Sequence, residues 1–133
     1  MTTPDHADRA ALADLRERLR AFAAARDWEQ FHTPKNLAMA LACEAAEVME
    51  HFLWLDGATS AALTDAKRAE VGEELADVLI YLVRLADKLD IDLLDAANAK
   101  IARNAERYPA DRVRGRAVKY SELEDEPGGA DGA

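Results

Sequence analysis

Cysteine is almost missing from this sequence. Cys43 stands alone, so no internal disulfide can form, and a reducing, cytoplasmic setting is expected. Long apolar runs are missing too. Nothing approaches the roughly 18–20 residues that a membrane span requires, and no membrane partner is expected. The first ten residues, MTTPDHADRA, do not have the charged-then-apolar order of a secretion signal, so none is expected. Basic residues are in deficit, 17 against 26 acidic, for a net charge of −9. That excludes binding to a nucleic-acid polymer through a basic surface, which works by displacing counterions. An acidic ligand remains possible if metal cations mediate the contact. Aromatics make up only 6% of the chain, so each one needs a local reason.

What is present is alanine and leucine. Half of the 133 residues are apolar, enough for one modest core, and the bias toward these two favours helix over sheet. The fold class expected is all-α, a four-helix bundle. Leu12, Leu15, Leu19 and Phe22 recur at three- and four-residue steps and define the first helix. Trp28-Glu29-Gln30-Phe31-His32 forms a short connection. Thr33 and Pro34 read as a cap and a first helical residue. The helix that follows carries Leu37, Leu41, Glu44, Val48 and His51 on one stripe and ends by Asp56-Gly57. A linker of small residues leads to Thr64-Asp65, the cap of a third helix with the stripe Lys67, Val71, Glu74, Val78, Tyr81 and Leu85. Asp90 or Asp92 caps a fourth, carrying Leu94, Ala97, Ile101, Ala105 and Tyr108, which Pro109 stops. The pattern then dissolves. The expected organisation is a flexible N-terminus over 1–9, one folded domain over 10–123, and a disordered acidic, glycine-rich tail over 124–133.

Four acids carry the chemistry. Glu44 and Glu47 are three apart on the second helix, and Glu74 and Asp77 repeat that spacing on the third. Residues at i and i+3 are neighbours on a helix surface, so each pair can aim two carboxylates at one spot. Glu44 lies between Leu41 and Val48 on the apolar stripe, and Glu74 between Val71 and Val78. A carboxylate on a core-facing stripe is costly unless it is paired or bound to a metal. If the two stripes face each other, four like charges converge and need a counterion. Oxygen ligands without cysteine or histidine suit Mg²⁺, with Mn²⁺ as a substitute, rather than zinc. Glu50 and Glu73 flank the set. The competing reading is a solvated acidic face on a helical interaction module. A di-metal redox bundle would want Glu-x-x-His pairs, which neither motif supplies. These residues support a metal site and name no reaction.

Glu44-Ala45-Ala46-Glu47 and Glu74-Leu75-Ala76-Asp77 resemble the ExxE…ExxD signature of the MazG-like all-α NTP pyrophosphatase superfamily. RDWEQFHTPKNLAMAL, GEELADVLIYLVRLAD and RYP are similar to its dCTP pyrophosphatase branch, and the resemblance spans roughly residues 10 to 123. It implies that Glu44, Glu47, Glu74 and Asp77 bind magnesium ions gripping a triphosphate. A metal-activated water would then release a monophosphate and pyrophosphate, with Glu47 as its base. The substrate implied is dCTP or a modified dCTP; the alternatives are dUTP, phosphoribosyl-ATP or other non-standard triphosphates. The resemblance assigns the base pocket to Trp28, Glu29, Gln30, Phe31, His32, Trp54 and Tyr81, and phosphate contacts to Lys100 and Asn104. Arg107, Arg112, Arg114 and Lys119 are further phosphate candidates. The plainer readings make Trp28 and Trp54 plugs of helix ends, Tyr81 a core residue, and His32 a cap of the following helix; Met39 and Cys43 read as core filler. Leu19 is a departure, since the dCTP branch is expected to place a polar, histidine-like group there. Leu79, Ile80, Leu82 and Val83 surround the third helix with apolar side chains. This implies burial on more than one side and a homo-oligomer, and the family implies a homotetramer, a dimer of dimers.

Overall fold

The computed structural model describes residues 6–125. Those residues contain helices and connections and no strand. None of their helices is long and apolar enough to cross a membrane. The chain divides after Leu93 into two compact units. The first holds α1 (His6–Ala25), α2 (Pro34–Glu50), the single turn α3 (Gly57–Ser60) and α4 (Asp65–Lys88). The second is built on α5 (Leu93–Arg107), with the short helices α6 (Ala110–Val113) and α7 (Tyr120–Glu124).

The four expected helices are the four long ones, and their caps follow from the sequence. Thr33 accepts the Asn36 backbone N–H at 3.2 Å ahead of Pro34, and Thr64 accepts that of Lys67 at the same distance. Each satisfies one of the donors that every helix start leaves unpaired. Helix α2 stops at Glu50, ahead of Asp56 as expected, and Asp56 is itself a cap, accepting the Thr59 N–H at 2.7 Å to start α3. Two expectations change. Helix α1 begins at His6, so residues 6–9 are helical; residues 1–5 lie outside the described part. Beyond Pro109 the chain is not patternless: α6 and α7 form there, too short for a periodic stripe to announce them. Lys119 N–H meets Glu122 Oε2 at 3.0 Å, and Arg112 donates to the carbonyl of the buried Leu123 at 2.6 Å. Of the expected tail, residues 126–133 lie outside the described part.

Helices α1 and α4 end in the same way. Trp28 N–H reaches back to Ala23 O at 3.0 Å and Asp27 N–H to Ala24 O at 3.1 Å; Ile91 to Ala86 and Asp90 to Asp87 repeat the pattern at 2.9 and 3.2 Å. Asp27 and Asp90 hold φ values of 54° and 53°, the left-handed position this helix ending needs, with aspartate in place of the usual glycine. The ring of Phe22 then meets that of Trp28 edge-on, 5.8 Å between centroids, as the hydrophobic contact that accompanies such an ending. Asp90 thus closes α4, and α5 starts after Asp92.

Helix α4 packs against α2 most extensively and also against α1. The two stripes behave as their spacing requires. Leu37 and Val71 are buried, while Leu41, Glu44, Val48, His51, Lys67, Glu74, Val78, Tyr81 and Leu85 are half-buried. Met39 and Cys43 are not core filler: both are exposed, Met39 by 59%, because they sit off the α2 stripe and face away from α4. On α5, Ala97, Ile101 and Ala105 are likewise exposed, as is Tyr108 just beyond it.

Candidate active site

Packing α2 on α4 brings the acid motifs together. Carboxylate oxygens of Glu44, Glu74 and Asp77 all lie within 4.8 Å of one another. Glu47 stands against the same group. Burial pushes the Glu44 carboxyl above its ordinary range, and Glu47, Asp77 and Glu74 push it further. The Glu74 carboxyl is also raised, first by a hydrogen bond shared with Glu47 and then by burial, with His51 opposing. His51, the residue that caps the end of α2, has Nε2 3.5 Å from Glu74 and Nδ1 3.9 Å from Glu70. Glu44 Oε2 is buried with no hydrogen-bond partner among the described residues. A buried, orphaned carboxylate oxygen among other carboxylates is what a hard divalent cation repairs, and an all-oxygen donor set suits such a cation. The residues therefore fit the metal their pattern implies.

A second charged group lies farther along α4. Arg84 is 3% exposed. Its Nη2 donates to Glu29 Oε1 at 2.6 Å, and Nη2 and Nε lie 3.2 and 3.4 Å from His32 Nδ1. Its Nη1 reaches Asp87 Oδ2 at 3.5 Å. Lys88 pairs with the other Glu29 oxygen, and Arg20 of α1 grips Asp87 with two donors, Nε at 2.7 Å. Both acids are held below the ordinary carboxylate range, Asp87 chiefly by its bond to Arg20 and Glu29 chiefly by its bond to Lys88. An open cleft of about 420 Å³ is lined by Arg20, Ala24, Glu29, Arg84, Asp87 and Lys88.

A MazG-like family model matches residues 39–123. The chain belongs to the MazG-like family. It is 46% identical over 114 residues to dCTP pyrophosphatase 1 of rat and of human, covering 84% of this chain and 67% of each relative. A pyrophosphatase of Archaeoglobus fulgidus matches with a TM-score of 0.72 and 35% identity, over 82% of this chain and 98% of that one.

The fold brings some of the expected site residues together and leaves others apart. Glu44, Glu47, Glu74 and Asp77 converge. Trp28, Glu29, Gln30, Phe31 and His32 form the connection between α1 and α2, and Glu29 and His32 are engaged by Arg84. Gln30 spends its amide on Asp27, donating to its backbone and side-chain oxygens at 3.0 Å. Trp28 and Phe31 are exposed enough to stack. Trp54, 94% exposed, plugs no helix end. His32 does not cap α2, since Thr33 does. Tyr81 is half-buried on α4, one turn after Asp77. Lys100 and Asn104 lie one turn apart on α5, in the second unit.

Arg84, Asp87, Lys88 and Arg20 did not stand out in the sequence. A weak signal existed: Asp77, Tyr81, Arg84 and Lys88 are spaced i, i+4, i+7, i+11. That places them on one face of α4, leading from the acids toward its end.

Proposed function

We propose that this MazG-like protein is a Mg²⁺-dependent nucleoside triphosphate pyrophosphatase. It hydrolyses dCTP, or a modified dCTP, to the monophosphate and pyrophosphate. The observation that carries this reading is the uncompensated carboxylate cluster on α2 and α4, with its orphaned Glu44 oxygen. When bound, Mg²⁺ (or Mn²⁺) polarises phosphoryl oxygens and lowers the pKa of water. Glu44, Glu74 and Asp77 would hold it. Glu47, beside both Glu44 and Glu74, takes the proton of the attacking water. The face Asp77–Tyr81–Arg84–Lys88 leads from the phosphate end of the substrate to the base end. There Trp28 and Phe31 offer exposed rings for stacking, beside Glu29, Gln30 and His32. Trp54 supplies a further ring.

The name shared by the rat and human relatives favours dCTP. Leu19, half-buried on α1 with no polar group, favours a broader base range as the second reading, reaching dUTP, phosphoribosyl-ATP or other non-standard triphosphates. Exposed apolar residues on both central helices, Met39 and Met49 on α2 and Leu75, Leu79 and Leu82 on α4, support a homo-oligomer; the homotetramer, a dimer of dimers, rests on the family resemblance. The lone, exposed Cys43 supports a cytoplasmic setting. The test is pyrophosphate release from canonical and modified dNTPs in Mg²⁺. Preference for dCTP or 5-substituted dCTP is expected, and no release from any triphosphate overturns the proposal.

A further inference from the structure

Arg84 is the most buried charged side chain among the described residues, and three groups converge on it: Glu29 and His32 from the connection, and Asp87 from its own helix. A guanidinium carries only donors and stays charged at every accessible pH. Its Nη2 and Nε both face His32 Nδ1, so that nitrogen must present its lone pair. A proton on Nδ1 would set donor against donor, and a doubly protonated ring would set cation against cation. The ring proton therefore belongs on Nε2, for which no protein acceptor is found among the described residues.

We propose that Arg84 is a positioning residue for nucleotide recognition: clamped by Glu29 and Asp87, it locks His32 as the neutral Nε2–H tautomer and so fixes one hydrogen-bond donor at the connection between α1 and α2. The charged groups facing His32 are Arg84, Glu29 and Lys88; Glu29 favours the protonated ring, while burial, Arg84 and Lys88 oppose it more strongly, so its pKa falls below the usual value. Glu29 has a different part. With one oxygen on Arg84 and the other on Lys88, its carboxylate anchors the connection to α4 and is not a free acceptor. A fixed N–H donor suits the carbonyl or ring-nitrogen acceptor of a pyrimidine. This last step rests on the proposed reading of the connection as the base pocket; the tautomer does not.

The experiment is ¹⁵N-detected histidine NMR on the full chain across the neutral range. The chain has three histidines, and the His32 signals are assigned with a His32→Gln variant. The expected spectrum shows His32 with an unprotonated Nδ1 and a protonated Nε2, unchanged while an exposed histidine titrates. An Nδ1–H tautomer, or a ring that titrates normally, overturns the proposal without any variant. Arg84→Met is expected to raise the His32 pKa, mix the tautomers, and raise KM for the nucleotide about tenfold with kcat nearly unchanged. If Arg84→Met does not fold, Arg84→Lys retains one cation near Glu29 and loses the fork, and the same split is expected in smaller measure. Unchanged KM in a folded variant overturns the role in recognition. Absence of triphosphate hydrolysis in the wild type would instead overturn the proposed function, leaving the tautomer to stand or fall by the spectrum.

Discussion

Two charged groups share helix α4, and they are built in opposite ways. Around Glu74 and Asp77 the close carboxylates gather with like charge; among the described residues only His51 pairs with one of them, and the Glu44 and Glu74 carboxyls are pushed upward. Around Arg84 and Asp87 every charge has a partner, and the acids are pushed downward. The first arrangement is incomplete without a cation and so reads as a site. The second is complete in itself and reads as a clamp that positions its neighbours. Opposite displacements of these two carboxylate sets separate a cation site from a self-paired clamp better than a count of acidic residues could.

The sharpest way to break this contrast is to remove one acid from each set. Asp77→Asn or Glu47→Gln should lower turnover by on the order of 10³-fold while the helical circular dichroism stays intact; near-wild-type rates would take these acids out of the site. Asp87→Asn should do the reverse. It is expected to cost about 2–3 kcal/mol in denaturant unfolding, because Arg84 and Arg20 lose a partner whose side chain is only 9% exposed, one of them buried. The sign of its pH dependence also follows. A carboxyl depressed in the folded state adds stability above its unfolded pKa and loses it as pH falls through the folded one. Asp87→Asn should therefore flatten the acid limb of the stability curve below about pH 4.

Smaller effects sharpen the comparison. Glu44→Gln should raise the melting temperature of the metal-free protein by about 2–5 °C, since it relieves a buried like-charge contact, while removing any stabilisation by Mg²⁺. A destabilised Glu44→Gln would mean the cluster is already compensated. Trp54→Ala should leave stability within about 0.5 kcal/mol, given its exposure, and raise KM; lost stability with unchanged KM would mark Trp54 as a packing residue.

Much of the acid set was legible because it rests on local rules. The i, i+3 spacing, the apolar stripes through Leu37 and Val71, and the Thr33 and Thr64 caps all lie within a few residues of what they determine. The clamp was not legible for the opposite reason: Arg84 meets Glu29 across 55 positions, and nothing near either residue announces the pair. Met39 and Cys43 were misjudged because composition says apolar without saying which face. Their steps from Leu41 put them on the far side of α2. The helix ending at Asp90 hid behind a residue that seldom fills the left-handed position.

Calorimetric titration of the wild-type protein with Mg²⁺ alone, without nucleotide, tests the central claim most directly. Saturable, stoichiometric binding that disappears in Glu44→Gln and persists in Asp87→Asn is the predicted result. No binding by the wild type, or equal binding by both variants, would contradict the reading of the α2–α4 acids as a metal site.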